Sequence, residues 1–583
     1  MNSISPTTIQ AEKQWDLFHV AILLGAALLR FVNLGFLDLQ AWDEALYSMR
    51  AQAALYPGLW IDQTPLAIDG LYSSLHPPFY VWGTALVYQL LGVSEFSSRF
   101  VSALSAGVTI FVIYLIGKEL RSKQTGIIAA LLYSFTPFTC FYSRQGQFDA
   151  LLVLFLTLSV FAIVKSMQRP DRLHVLMAGV FVGCALMTKL FVAFGIPVAY
   201  AFWVLTVKPA NKGEHWIRIA LVALLAFAVA APWHLYMIIT HGDGNPLFFL
   251  ESSAIVQRTL FGVEGNVQPL EVFYYPNQLI VLFPFGIAAF LYGAWRSYRT
   301  RDPLWIFLAL WFLSFFIVFS VMRTKLAVYL LPMLVPASLL AGTVFEDISK
   351  GTIEGKTPRL LIVLTICSVI WSSSQVWRDS VKGLISSLLS FLWPDQSNLI
   401  GTAFLLGAVT IGCGISLIIL SGKRALFARY FPHVALLFLF TLSMAAIVVF
   451  DRHQYVDGAA SFAEFVDRSN VKQIVVAGYE RNPQLTYYLK GADIGWRDDL
   501  HVRRIVPPND TALYRPWLQM EMIGEPASTL LLIEKDKFIR YHTIDPNVFL
   551  TDGYVRVFES RRYAAFVAGQ IDFLASAFPP VRN

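Results

Sequence analysis

Apolar runs of about 18 residues or more recur through the first 450 positions, separated by short polar or basic connections. Runs of that length suit helices crossing hydrocarbon, so the pattern predicts an α-helical polytopic membrane protein. The first run covers 16–37, with Arg30 near its far end, where a long side chain snorkels toward the interface. A loop over 38–76 follows and carries Asp38, Asp43, Glu44, Asp62 and Asp69. The next apolar stretch, 77–92, has sixteen residues and ends in Gly92, which is short for a span. It reads as a helix lying on the membrane surface, so that 38–97 forms a first outer loop with interfacial helices. Later spans are expected near 98–117, 124–141, 150–166, 173–189, 190–207, 217–240, 275–295, 303–322, 326–347, 359–377, 398–420 and 432–450.

Charge bias orients this ladder. With 77–92 not crossing, six alternate connections each collect three cations, such as Lys118, Arg121 and Lys123, then Arg296, Arg299 and Arg301, then Lys350, Lys356 and Arg359. The opposite connections hold scattered ones, including Lys189, Arg258, Arg323 and Lys325. Placing the triplets inside gives about thirteen spans, the N-terminus cytoplasmic and the C-terminus outside. Asp43, Glu44, His76, Asp149, Arg258, Arg323 and Lys325 then share the outer face. A charge at membrane depth costs about 2.5–3.5 kcal/mol on insertion scales, so such a gathering points to a site.

After about residue 452 the pattern changes to short alternating segments. Residues 472–477, 529–533, 554–558 and 563–567 predict strands, the last two as a hairpin, and 458–466 predicts a helix. The domains are therefore expected as 1–451, a transmembrane catalytic part, and 452–583, a soluble α/β domain on the outer side.

Composition agrees: 56% of residues are hydrophobic and 14% charged, against about a quarter charged in soluble domains. A net charge of +6 over 583 residues reflects basic loops and excludes a nucleic-acid surface. Fifteen Trp and 24 Tyr suit interfacial belts. Cys140, Cys184, Cys367 and Cys413 lie in apolar runs without CxxC spacing and read as small packing residues. Residues 1–15 show no cleavable leader, so the first span is expected to be retained.

The candidate chemistry lies on the outer side. Asp43, at the water end of a span, suits accepting a proton from an incoming hydroxyl, and Glu44 suits orienting a neighbour; both also fit a solvated helix start. Asp149 precedes a long apolar run and reads either as an N-cap or as a second carboxylate of one cavity. His76 stands before Pro77-Pro78, which presents its ring at a rigid turn. Arg258 and the Arg323/Lys325 pair oppose the insertion bias. Either an anionic lipid head group or the outer carboxylates explain them, and Lys189 is open in the same way. Tyr329 reaches a phosphate or a sugar hydroxyl, or belongs to an aromatic belt. No Walker, HExxH, GxSxG or EF-hand spacing occurs, so no cofactor is implied and a divalent metal lacks support.

Taken in order, Asp43-Glu44, His76-Pro77-Pro78, Asp149, Met187-Thr188-Lys189, Gln257-Arg258, Phe273-Tyr274-Tyr275 and Lys325-Leu326 to Tyr329 resemble the GT-C superfamily of polyprenyl-phosphate-sugar glycosyltransferases. The similarity is greatest to bacterial aminoarabinose transferases that modify lipid A and to protein mannosyltransferases. It implies Asp43 as catalytic carboxylate, Asp149 as the second acidic position, and Arg258, Lys189 and Lys325 near the donor phosphate with Tyr329 beside them. It further implies transfer from an undecaprenyl-phosphate type carrier to lipid A or another envelope acceptor, at the outer face of a bacterial inner membrane. Two positions depart from the aminoarabinose pattern: Leu75-His76 replaces a Glu-Lys pair, and Ala254 and Ile255 replace the Glu-His of the third-loop motif. A protein O-mannosyltransferase-like enzyme and a lipid-linked sugar flippase are the alternatives; the latter would show repeated halves or broken helices, neither of which the sequence displays.

Overall fold

The computed structural model describes residues 6–40, 43–63, 76–169, 171–241, 273–353, 458–469, 471–477, 483–492, 497–505, 520–522, 529–535, 554–560 and 562–568, with isolated positions between 357 and 440. Two compact units emerge: 1–34, 75–80 and 99–450 form the first, and 35–74, 81–98 and 451–583 the second.

The helices run α1 (Pro6–Leu28), α2 (Asp43–Ala53), α3 (Phe79–Leu91), α4 (Glu95–Leu120), α5 (Lys123–Ser134), α6 (Pro137–Tyr142), α7 (Asp149–Gln168), α8 (Arg172–Leu186), α9 (Leu190–Ala193), α10 (Gly195–Val207), α11 (Lys212–His241), α12 (Tyr274–Leu282), α13 (Ile287–Thr300), α14 (Pro303–Val321), α15 (Leu331–Lys350), α16 (Ala459–Arg468) and α17 (Pro483–Tyr488). Among the described residues, five helical stretches are long and apolar enough to cross a membrane, or six with the bent pair α12–α13. Of the expected spans, 398–420 lies outside the described residues, and 359–377 and 432–450 lie mostly outside them.

Three expected single spans are interrupted, 190–207 at Phe194 between α9 and α10. The stretch 124–141 divides into α5 and α6, because Pro137 brings no N–H to continue the first helix and holds Thr136 extended. The stretch 275–295 bends by 114° between α12 and α13. Pro284 lies in that elbow, and a Cβ on Gly286 would fall 2.0 Å from the Phe283 ring, so the turn demands glycine. A broken helix, which the sequence did not display, is therefore present.

Close helix packing in the first unit rests on small residues. On α8, Gly179 and Gly183 face α11 so tightly that a Cβ on each would lie 2.6 Å from the Cβ of Leu225 and Val229 respectively. α15 is the most enclosed of the apolar stretches, with 94% of its apolar window buried. Arg30 does not snorkel. It is 1% exposed and donates to the Ser134 carbonyl and hydroxyl and toward Cys140 Sγ, because α5 ends there with unpaired carbonyls.

In the second unit, five strands pair in the order β2-β1-β3-β5-β4: β1 (Gln473–Ala477), β2 (His501–Ile505), β3 (Leu530–Glu534), β4 (Tyr554–Glu559) and β5 (Tyr563–Ala568). β1 is parallel to β2 and β3, and β5 is antiparallel to β3 and β4. The four segments read as strands each coincide with one; β2 and α17 were not foreseen. Phe462 and Val466 of α16 and Leu485 of α17 pack on one face, against Ile474, Val476 and Leu532.

The loop 35–40 is bound to this sheet region. Asp38 Oδ2 accepts from the backbone N–H of Gly458 and Ala459, each at 3.1 Å, and so caps α16. Leu39 N donates to Tyr488 Oη at 2.8 Å, and Gln484 Nε2 donates to Leu39 O at 2.7 Å. Tyr563 Oη donates to Gln484 Oε1 at 3.1 Å.

Candidate functional site

Within the first unit, side chains from five distant segments converge. α7 begins at Asp149; its N-cap is Phe148, which makes no side-chain cap. Asp149 is therefore not a capping residue. Its Oδ1 lies 3.4 Å from Lys189 Nζ, and the two side chains are 11% and 14% exposed. Lys189 follows the end of α8, where its N–H still bonds Ala185 O at 2.8 Å. Its ammonium stands 4.7 Å from the Phe148 ring centroid and 5.1 Å from that of Tyr329. A cation over two ring faces gains electrostatically while its N–H groups remain available for other partners.

His76 joins the same ring: its centroid is 4.9 Å from that of Phe148. The half-buried imidazole is thus part of the interior and not a surface histidine. The Pro77-Pro78 turn is fixed from the other side, since Phe79 N donates to Met187 O at 3.2 Å, two residues before Lys189. Phe148 was not singled out in the sequence, although an aromatic residue directly before an acid at a helix start was a usable signal.

Tyr329 stacks on Phe319 at 4.5 Å. Lys325 is linked to this pair differently from expectation. Its Nζ donates to Phe319 O at 3.1 Å and Ser320 O at 2.5 Å and lies 5.4 Å from the Tyr275 ring. Those carbonyls belong to the last turn of α14, so Lys325 neutralises a helix C-terminus. Arg144 meets the carbonyls of Leu29, Arg30 and Val32 in the turn that follows α1, and Arg30 meets the Ser134 carbonyl at the end of α5. Lys325, for which the sequence suggested a lipid phosphate or outer carboxylates, thus meets a helix end. Arg258 lies outside the described residues.

Asp43 and Glu44 belong to the second unit. Asp43 is exposed at the first residue of α2, where a carboxylate meets the positive helix end. Glu44 is 2% exposed, and its Oε2 accepts from Gln40 N at 2.7 Å, which fixes the entry to the helix. On the same helix Arg50 is 2% exposed; burial lowers its guanidinium pKa to about 10, partly offset by Tyr47 and Asp62. It donates to Gln63 Oε1 at 3.2 Å, and Gln63 in turn holds the carbonyls of Leu59 and Trp60. Trp82 Nε1 also reaches Trp60 O, with the two indoles stacked at 6.1 Å. α2 is therefore a rigid platform for the exposed Asp43.

The family model for dolichyl-phosphate-mannose-protein mannosyltransferases matches residues 75–236. The undecaprenyl phosphate-α-4-amino-4-deoxy-L-arabinose arabinosyl transferase 1 of Proteus mirabilis is 28% identical over 58% of this chain and 60% of its own length. The corresponding transferase 2 of Pseudomonas fluorescens is 29% identical over 61% of this chain and 65% of its own length. The chain thus spans rather less than two thirds of the curated relatives it matches. ArnT from Cupriavidus metallidurans bound to undecaprenyl phosphate superposes with a TM-score of 0.66 at 16% identity, covering 97% of this chain and 99% of that one. The chain is thus similar over part of its length to a mannosyltransferase family model and to aminoarabinose transferases, and its fold matches that of one such transferase.

Proposed function

We propose that this chain is a membrane glycosyltransferase that moves one sugar from an undecaprenyl-phosphate type carrier to a lipid acceptor such as lipid A. Its active site would face the outer side of a bacterial inner membrane, with the N-terminus cytoplasmic and the C-terminus outside. The supporting observation is the Lys189 ammonium, held by one carboxylate and two ring faces in a fold shared with an undecaprenyl-phosphate-bound transferase.

In this reading the acceptor hydroxyl oxygen bonds to the sugar's anomeric carbon while the bond from that carbon to the carrier phosphate breaks. The hydroxyl proton passes to a carboxylate, the role that the sequence resemblance gives to Asp43, and negative charge builds on the departing lipid phosphate. Lys189 neutralises that charge, with His76 and Arg258 adding donors, because charge developing on the leaving group most needs fixed partners. Asp149 holds Lys189 in place, and Glu44 holds the loop that presents Asp43. Lys325 steadies Tyr329 through the end of α14.

The test is sugar transfer by the full chain in liposomes containing the polyprenyl-phosphate-linked donor. Asp43→Asn should lower turnover by about 10²- to 10⁴-fold with folding intact. Near-normal turnover in that variant would remove Asp43 as base. Two other readings have observations in their favour. The mannosyltransferase family match and His76-Pro77-Pro78 favour a protein acceptor, so transfer to peptide with none to lipid would select it. The bent α12–α13 pair favours a lipid-linked sugar flippase, which would move the donor between leaflets without breaking the sugar–phosphate bond.

A further inference from the structure

The second unit contains a cavity of about 550 Å³ that the proposed chemistry does not use. Tyr56, just beyond α2, and Tyr487 and Tyr488 of α17 supply aromatic walls; Glu95 and Lys490 supply opposite charges. Leu55 and Val93 complete an apolar side and are 37% and 46% exposed.

The rings are held by their hydroxyls. Tyr488 Oη accepts from Leu39 N at 2.8 Å, and Tyr487 Oη meets Ser98 Oγ at 3.4 Å. Their planes stand at 88° with centroids 5.0 Å apart, giving two perpendicular walls. Glu95 is half-buried and, among the described residues, forms no hydrogen bond or ion pair. Its charge is nonetheless close to both rings. Burial pushes the phenols of Tyr487 and Tyr488 well above their usual range, and the Glu95 carboxylate adds to that rise. A helix N-terminus alone would accommodate an acid at position 95, but it does not account for three aromatic side chains around it.

A carboxylate among aromatic faces is the chemistry that recognises an organic ammonium group. Lys490 sits in the same cavity, paired with Asp467 at 2.9 Å and 68% exposed on its side chain, so a free amine would meet a neighbouring cation. A ligand carrying both charges fits better. From Val93 of the cavity wall the chain leads directly back into α3, whose Leu86, Leu90 and Leu91 are 50%, 82% and 56% exposed. Acyl chains suit those exposed leucines.

We propose that this cavity binds the head group of a zwitterionic phospholipid, with its ammonium against Glu95 and the tyrosine rings and its phosphate toward Lys490. The binding is distinct from sugar transfer and is read without it. The test uses the purified full chain in detergent and isothermal titration with short-chain phosphatidylethanolamine, phosphatidylglycerol of the same chains, and free phosphoethanolamine. The ethanolamine lipid should bind about tenfold more tightly than the glycerol lipid, the scale of one charged contact reinforced by ring faces. Free phosphoethanolamine should bind more weakly than the lipid. Glu95→Gln should erase the preference without shifting the melting temperature, and Tyr56→Leu should reduce it. Equal binding of the two lipids, or a preference retained in Glu95→Gln, overturns the proposal; so does phosphoethanolamine binding as tightly as the lipid, which would make the ligand a soluble amine. Should Glu95→Gln fail to fold, the preference retained in Tyr56→Leu overturns it equally.

Discussion

Two ion clusters of the first unit contain the same kinds of groups and arrange them oppositely. Near the end of α15, Glu346 and Asp347 are 0% and 5% exposed and saturated with partners. Glu346 takes Lys350 at 2.5 Å, Ser122 Oγ at 2.8 Å and the Thr125 hydroxyl, with Arg121 Nε at 3.5 Å. Asp347 takes Arg121, Arg296 and Thr352 Oγ1. At Asp149, among the described residues, one carboxylate meets one ammonium at 3.4 Å, and two rings lie against that ammonium. A saturated cluster can only be broken by a ligand, whereas a sparse one can accept another partner. The first therefore holds α4, α5, α13 and α15 together, and the second suits a transferring phosphate.

The largest effect should come from breaking the saturated cluster. Asp347→Ala leaves two partly exposed guanidinium groups without their shared buried carboxylate and should cost about 3 kcal/mol of stability, the low end for breaking a buried pair because both cations keep some water. Thermal unfolding of the detergent-solubilised protein would measure it, and a midpoint near that of the unaltered chain would show that the network is ornamental. Next comes the sparse cluster. Lys189→Met should lower kcat/KM for sugar transfer by about 10²- to 10³-fold, the scale of removing one fixed donor to developing charge. Its melting temperature should fall by less than that of Asp347→Ala, because a single pair at 3.4 Å is lost instead of several contacts to one carboxylate. A Lys189→Met variant that unfolds like Asp347→Ala would erase the distinction.

How far the sequence displayed this contrast differs by residue. Asp149 and Lys189 were legible as unusual charges between apolar runs, and their partnership is a matter of tertiary contact that no spacing encodes. Arg121, Arg296 and Lys350 were legible only as topology markers, since a basic residue in a short connection looks the same whether solvated or paired with a buried acid. Arg30 was misread, and the helix end that Lys325 meets was not seen, for a related reason: the carbonyls they neutralise belong to the ends of α5 and α14, and helix ends are poorly placed by hydropathy. Asp38 stood among the loop acids with nothing to mark it as the cap of a helix 420 positions later. The strands of the sheet were visible because alternation is local. β2 was not, because its edge position leaves His501 and Arg503 exposed and weakens the apolar signal.

A smaller effect sharpens the comparison from the packing side. Lys189 is carried at the end of α8, whose Gly183 touches α11. Gly183→Ala places a methyl 2.6 Å from Val229 Cβ and 3.0 Å from Ala226 O, so the helices must separate. The expected cost is about 1–3 kcal/mol, the usual penalty for overpacking. Transfer activity should fall several-fold as the ammonium moves off the Phe148 and Tyr329 faces. Unchanged activity at full loss of stability would mean that Lys189 does not depend on the seating of α8.

The smallest effect separates saturation from burial. Asp467, on α16, is also saturated: Lys490 lies at 2.9 Å and Arg497 at 2.8 Å, but its side chain is 34% exposed. Partial burial pushes its carboxyl upward; hydrogen bonds from Lys490 and Arg497 outweigh this and hold it below its ordinary value of 3.8. A depressed folded-state value means that the contribution is present above that ordinary value and is lost as pH falls through the lower, folded one. Amide exchange at the end of α16, corrected for intrinsic rates, should therefore accelerate slightly as the solution is acidified from pH 5 to about pH 3. Lys490→Gln should flatten that dependence, and added salt should blunt it in the unaltered chain. An acid-induced loss as large as that of Asp347→Ala would show that the number of partners alone sets the strength of these clusters; a small one assigns the difference to the water that Asp467 still meets and Asp347 does not.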